Sequence, residues 1–210
     1  MTTKERYKLF IDYFSKHHPK AETELVYKNE FHFLIAVILS AQCTDKRVNL
    51  ITPALLKKFP TPASMAKATY EDVFAYIKSC SYPNSKSHYL VDMSRMLIEK
   101  YNGQVPSDNN ELQKLPGVGR KTANVMSAVI FNQPAMPVDT HVHRVSQRIG
   151  LVTTGKNVLE TEKELVKNIP PEKLNLAHHW LILHGRYICK SRKPDCMHCP
   201  ISSFCQFLGK

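Results

Sequence analysis

No apolar run in this sequence exceeds seven residues, the stretch Phe33–Leu39, whereas a membrane-spanning helix needs about 20. The first residues, Met-Thr-Thr-Lys-Glu-Arg-Tyr-Lys, are charged and hold no apolar signal core, so a cytoplasmic protein is expected. No segment alternates apolar and polar residues with the period of two that a half-buried strand requires, which argues against a sheet. Low-complexity tracts, flexible linkers and internal repeats are missing too. Acid is scarce: 18 Asp and Glu face 29 Lys and Arg, a formal charge of +11 with pI near 9.4. Such a balance favours an acidic partner, and with no membrane segment that partner is nucleic acid.

What remains is helical spacing. The expected fold is all-α, with ample core at 43% hydrophobic residues over 210. Lys4–His17 places Tyr7, Phe10, Ile11 and Phe14 on one side. Phe31–Ala41 is apolar nearly all round and reads as a buried helix, ending at Gln42 before another opens near Thr44 and Asp45. Helical spacing over Val48–Phe59 is interrupted by Pro60 and Pro62. Thr69 with Asp72 resembles a capping box for a helix through Ile77. Ser79–Ser85 reads as a loop containing Pro83, followed by a helix from His88 to Tyr101 that stops at Asn102-Gly103. Asp108 with Glu111 starts a short helix. Further helices carry Val142, Val145 and Ile149 up to Gly150, then Val158–Ile169, then Trp180, Leu181 and Leu183 after Pro170-Pro171.

The most informative stretch runs from Leu115 to Asp139. Leu115-Pro-Gly-Val-Gly119 reads as a tight hairpin between two helices, with Gly117 and Gly119 supplying positive φ. Arg120–Phe131 continues as a helix whose first N–H groups lack internal partners and suit a phosphate. Between Leu112 and Leu159 the only carboxylate is Asp139, against Lys114, Arg120, Lys121, Arg144, Arg148 and Lys156. A lone acid inside a basic tract suggests a polyanion footprint with one carboxylate kept for chemistry. A helix of 12 residues is about 18 Å long, and the connection Asn132–Val138 spans at most about 23 Å, so Asp139 can return to the lysine end. By itself Asp139, ahead of Thr140, is also a good N-cap. His141 and His143 suit structural or phosphate contacts, and His178, His179 and His184 suit core packing.

Four of the six cysteines close the chain as Cys189-x6-Cys196-x2-Cys199-x5-Cys205. In a reducing compartment clustered thiols bind metal. Only one C-x2-C knuckle is present, with long unequal arms, which suits a 4Fe–4S cubane, zinc being the alternative. Cys43 and Cys80 read as buried small apolar residues. Arg186, Lys190, Arg192 and Lys193 crowd the cysteine segment and form a rim that can face phosphate.

These motifs together resemble the endonuclease III family: Leu115 to Asn124, Val138-Asp-Thr-His141 and the four-cysteine ending, in that order. Leu34–Gln42 and His178–Tyr187 match as well, so the resemblance covers nearly the whole chain. It implies a DNA glycosylase with AP-lyase activity in the helix-hairpin-helix glycosylase superfamily, bacterial in type and nucleoid-associated. It implies two helical domains flanking a DNA-binding groove: a six-helix barrel over 22–132 bearing the hairpin, and a cluster domain from 1–21 with 133–210. Lys121 matches the catalytic lysine, Asp139 the motif aspartate, and Gln42 a residue that fills the space left by an extruded nucleotide. The hairpin positions Leu115, Gly117, Gly119, Arg120 and Thr122 would grip DNA, joined by His141, Arg144 and the basic rim. Cys189, Cys196, Cys199 and Cys205 would ligate the 4Fe–4S cluster.

Two positions depart from the family pattern. Ser81-Tyr82-Pro83 replaces the usual Gly-Leu-Tyr ahead of Asn84-Ser85-Lys86, and His143 stands where an aromatic is common. The expected reaction is base flipping, attack of Lys121 on C1′ of an oxidised pyrimidine nucleotide, and β-elimination 3′ to the abasic site. Burial and the neighbouring Arg120 are expected to lower the lysine pKa. Duplex DNA with damaged bases or abasic sites is the expected partner of a monomer. The alternatives are an adenine-mismatch glycosylase, which usually lacks a lysine at this hairpin position, and a non-catalytic iron–sulfur DNA-binding protein.

Overall fold

The computed structural model describes residues 1–207, so the last three residues of the expected cluster domain, 208–210, lie outside the described part. Among the described residues every regular element is helical, as the missing period-two pattern foretold. None of the helices is long and apolar enough to cross a membrane. The chain divides into two compact units: Glu24–Phe131, and Met1–Thr23 together with the chain from Asn132 onward.

The central unit is built on α2 (Glu30–Ser40). All nine residues from Phe31 to Leu39 are buried, because a helix without a polar stripe must be covered on every side. The helices α3 (Asp45–Lys58), α6 (Pro83–Tyr101) and α8 (Arg120–Val129) pack on it. Two short helices, α4 (Pro62–Ala66) and α5 (Tyr70–Ile77), lie against α6, while α7 (Asn109–Lys114) pairs with α8. The pair Thr69–Asp72 forms the expected capping box, and Asp108 caps α7 by accepting from the N–H groups of Asn110 and Glu111.

The helical spacing expected to be interrupted at Pro60 and Pro62 does stop there: α3 ends at Lys58, and Pro62 starts α4 behind a Thr61–Ser64 capping box. One expectation is corrected in this unit: Pro83 opens α6 five residues earlier than the expected His88, taking what was read as loop into the helix. Proline at the first helical position lacks only an N–H that would have had no partner, and its fixed φ already suits the helix.

In the other unit, α9 (Thr140–Ile149) packs on α11 (Leu174–Tyr187), with α1 (Thr3–His17) against α11 and α10 (Val158–Asn168) against α9. Trp180 is 1% exposed, edge-on to Phe10 at 5.8 Å and stacked on Phe14 at 5.7 Å. Its indole N–H donates to the His18 carbonyl at 2.8 Å, so its one polar atom is satisfied inside the core. Arg6 joins the N-terminal helix to the end of the chain by donating to the Phe204 and Gly150 carbonyls at 2.9 and 3.2 Å.

Candidate active site and metal centre

The hairpin is held by sterics more than by hydrogen bonds. Gly117 has φ +78°, and a Cβ there would lie 2.8 Å from Cβ of Tyr89, so only glycine lets the turn pack on α6. The Val118 N–H donates to the Leu115 carbonyl at 3.0 Å and closes the turn, with Leu115 and Val118 buried beneath it. Gly119 differs from expectation. Its φ is −89°, which any residue adopts, so positive φ is not what it supplies. As the N-cap of α8 it has no side chain, and nothing lies within 4 Å of where a Cβ would stand. The gain is access: the amide end of α8, with no acidic residue in its first turn, is left open to an anion.

Arg120 and Lys121 occupy the first two positions of α8 and are exposed, with Thr122 half-buried behind them. The burial expected at Lys121 is therefore absent, because the second position of this helix faces away from the core while Ala123, Asn124, Met126 and Ser127 face inward. Asn124 in turn is tied to α7, since the Asn109 amide donates to Asn124 Oδ1 and to Ser127 Oγ, both at 3.0 Å. That clamp sets how the two hairpin helices sit. Only the packing reveals it.

Gln42 and Tyr82 make a second cluster in the same unit. Both are exposed with left-handed backbones, φ +52° and +55°, costly conformations for non-glycine residues. The Ser81 hydroxyl donates to the Gln42 carbonyl at 2.6 Å and joins the two turns. Beneath them Lys86, 4% exposed, donates to the carbonyls of Leu39 and Ala41 at 2.8 and 2.7 Å, capping the end of α2. Burial lowers its pKa. The sequence reading marked the Ser81-Tyr82-Pro83 loop but gave Lys86 no role. A lysine among helix-core neighbours was the available signal for it.

In the other unit Asp139 is the N-cap of α9, and its Oδ1 accepts the Val142 N–H at 2.8 Å. The capping role expected from sequence is met, with the carboxylate held at a helix N-terminus. The segment leading to it, Met136 to Val138, is buried, and His178 Nδ1 lies 2.9 Å from the Pro137 carbonyl. His178 thus braces the approach to Asp139, and His143, bonded to Thr161 Oγ1 at 2.8 Å, braces α9 from behind. His179 is buried as well, and burial followed by the charge of Arg186 drops its pKa to about 4.

The four C-terminal cysteines line one apolar-walled cavity with Ile149, His184, Ile188, Pro194 and Phe207. All four are unbridged, and His184 Nε2 lies 3.7 Å from Cys199 Sγ. Among the described residues no three His, Cys, Asp or Glu side chains are grouped to hold one metal ion. Four thiols around one cavity are soft donors that could hold a metal centre. Arg144, expected at the DNA interface, donates to the Gly185 and Cys189 carbonyls at 3.0 and 3.1 Å and to His141 Nδ1 at 3.2 Å. Arg148, one turn on, donates to the Lys190 and Ser191 carbonyls at 2.7 and 3.0 Å. This i, i+4 arginine pair backs the loop on which Lys190, Arg192 and Lys193 stand exposed, while Arg186 is half-buried on α11.

A glycine hairpin opening an amide-ended helix beside an exposed lysine, among described elements that are all helical, is an arrangement suited to holding nucleic-acid phosphate. The chain belongs to the HhH-GPD superfamily of base excision DNA repair proteins, whose pattern matches residues 35–171. Within that superfamily it is 50% identical over 197 residues to endonuclease III of Rickettsia prowazekii (strain Madrid E), covering 94% of this chain and 92% of that one. Endonuclease III of Escherichia coli (strain K12) is 45% identical, with 93% and 92% covered. A trapped endonuclease III–DNA covalent intermediate superposes with TM-score 0.93 at 46% identity, covering 99% of this chain and 97% of that one. A thermostable thymine-DNA glycosylase at 22% identity and TM-score 0.87 shares the fold.

Proposed function

We propose that this protein is a bifunctional DNA glycosylase and AP lyase of base excision repair that removes oxidised pyrimidines from duplex DNA. The observation that carries the reading is Lys121, a primary amine exposed in the first turn of a helix whose N-terminus is open behind Gly119. A cation there is locally unfavourable, which asks for a reason beyond surface solvation. The relatives' chemistry supports it, since one superposable endonuclease III was trapped covalently on DNA.

The target nucleotide is extruded from the duplex, at a cost of a few kcal/mol that damaged, poorly stacked bases reduce. Phosphate oxygens beside it sit on the Gly117–Gly119 turn and the α8 amides, positioned further by Arg120 and Thr122. Neutral Lys121 Nζ forms a bond to C1′ as the C1′–N bond to the base breaks and the base leaves with a proton. Ring opening gives the imine. Loss of a C2′ proton then expels the 3′ phosphate, and water frees the amine. Asp139 takes up the proton and balances positive charge at the sugar. Gln42 fills the gap left in the stack.

The four thiols would hold a 4Fe–4S cluster, which would add covalent bracing to a segment also tied by Arg144, Arg148 and Arg6. Arg186, Lys190, Arg192 and Lys193 would then face the backbone from a fixed loop, with His141 alongside. Iron and sulfide analysis of anaerobically purified protein tests this; a colourless zinc protein contradicts it. The protein acts as a cytoplasmic, nucleoid-associated monomer on this reading.

The direct test is borohydride trapping on abasic duplex. Covalent capture is expected for the native chain and none for Lys121→Gln, which should still bind DNA. Capture or strand cutting that survives in Lys121→Gln would remove the lysine from this role. A panel of duplexes with single damaged bases separates oxidised-pyrimidine from adenine-mismatch excision.

A further inference from the structure

Two cysteines stand apart from the C-terminal four. Cys43 follows Gln42 in the turn between α2 and α3, and Cys80 precedes Ser81 in the turn between α5 and α6. Sequence alone made them inert core residues. In the fold Cys80 is buried but Cys43 is only half-buried, and their sulfurs are 3.8 Å apart, in contact. Their neighbours are joined as well, by the Ser81 hydroxyl on the Gln42 carbonyl. Thirty-seven positions of sequence separate the two thiols, so only the fold makes them a pair.

We propose that Cys43 and Cys80 form a reversible dithiol–disulfide site, oxidised by hydroperoxides, that locks the Gln42 turn to the Tyr82 turn. A disulfide needs sulfurs about 2.05 Å apart, and these two thiols already touch at 3.8 Å across two short turns. The chemistry divides by exposure. Cys43 is the sulfur a peroxide can reach, and as thiolate it takes the terminal oxygen, giving a sulfenic acid and releasing an alcohol or water. Cys80 Sγ then attacks the Cys43 sulfur and expels hydroxide, which leaves as water with the Cys80 proton. Two thiols and one hydroperoxide thus give one disulfide, one alcohol and one water. Burial pushes the Cys80 thiol up to about 11, which keeps it protonated until the sulfenic acid is formed beside it. The buried Lys86 ammonium and Arg47 lie within electrostatic range of Cys80 and favour its thiolate in that second step.

The consequence for DNA rests on the reading that Gln42 and Tyr82 enter the duplex. Both turns hold left-handed residues, and a covalent tie between them fixes their separation. Base extrusion that needs the turns to part would then slow in the oxidised form. In a reducing compartment a contact pair of this kind is regulatory rather than structural.

The test treats holo-protein with stoichiometric hydrogen peroxide, alkylates the remaining thiols and maps the peptides by mass spectrometry. A Cys43–Cys80 linked peptide, reversed by dithiothreitol and absent from Cys43→Ala and Cys80→Ala, is the expected result. Recovery of both residues as separately alkylated peptides, or a Cys43 that runs on to sulfinic acid without linking, overturns the proposal. Nicking of abasic duplex should fall at least severalfold in oxidised protein and return with dithiothreitol, and stay constant under the same treatment in Cys43→Ala. Unchanged nicking by fully cross-linked protein overturns the locking. A reduced protein that never nicks indicts the lyase reading instead, while the peptide map still decides the disulfide.

Discussion

At Asp139 one carboxylate accepts the Val142 N–H at 2.8 Å, so the group assigned to the chemistry also begins α9. The two roles separate by substitution. Asp139→Asn keeps an acceptor and should hold stability within about 0.5 kcal/mol, while Asp139→Ala should cost about 1 kcal/mol of unfolding free energy. Both should lower excision by about 10²–10⁴ if the charge acts on the sugar. Near-normal turnover in Asp139→Asn would reduce the residue to a cap. A second prediction at this scale concerns His179, whose pKa falls from 6.5 to about 4 because burial opposes its charge. Below 6.5 the unfolded chain binds a proton there that the folded chain refuses. Stability should therefore fall as pH drops from 6.5 towards 4, by at most about 1.4 kcal/mol per pH unit from this group. His179→Gln should flatten that part of a plot of Tm against pH; an unchanged slope would place the acid sensitivity elsewhere.

The elements that sequence periodicity defined best were those with one apolar stripe or none exposed, such as α1 and α2. Turns fared differently, because their meaning depends on what packs over them. Gly117 and Gly119 look alike in the sequence, yet one is required by a left-handed φ and the ring of Tyr89, the other by open space before α8. Gly117→Ala should lower unfolding free energy by about 1–2 kcal/mol from φ alone, with a further steric cost against Tyr89. Adding Tyr89→Ala should recover only the ring's share of the steric cost, because the Cβ at 2.8 Å remains. Denaturant titration of the single and double variants measures the split, and full recovery in the double would show that φ costs nothing there. The prolines at the starts of α4 and α6 carry the same lesson, since proline signals an interruption unless the chain beyond it can use a preset φ.

Charge belongs to the molecule as a whole. A net +11, with basic residues exposed on a hairpin and on a loop, predicts affinity for DNA that falls steeply with salt. Arg192→Ala should weaken binding about equally for all duplex sequences and reduce the slope of log K against log salt by about 1. The same change at Arg144 should act through stability, because its guanidinium is engaged with the carbonyls of Gly185 and Cys189. A salt slope unaffected by Arg192→Ala would remove the cysteine loop from the interface.

The sequence by itself determined the helical class, the basic character, the glycine hairpin with its lysine, and the dense cysteine ending. Each of these is written in local spacing or composition, which a linear chain displays directly. Tertiary structure alone decided that Lys121 is exposed, that Arg144 and Arg148 brace a loop, that Lys86 caps α2, and that Cys43 touches Cys80. Those facts join residues tens of positions apart, and burial, contact and hydrogen bonding between them arise only when packing brings distant segments to one place.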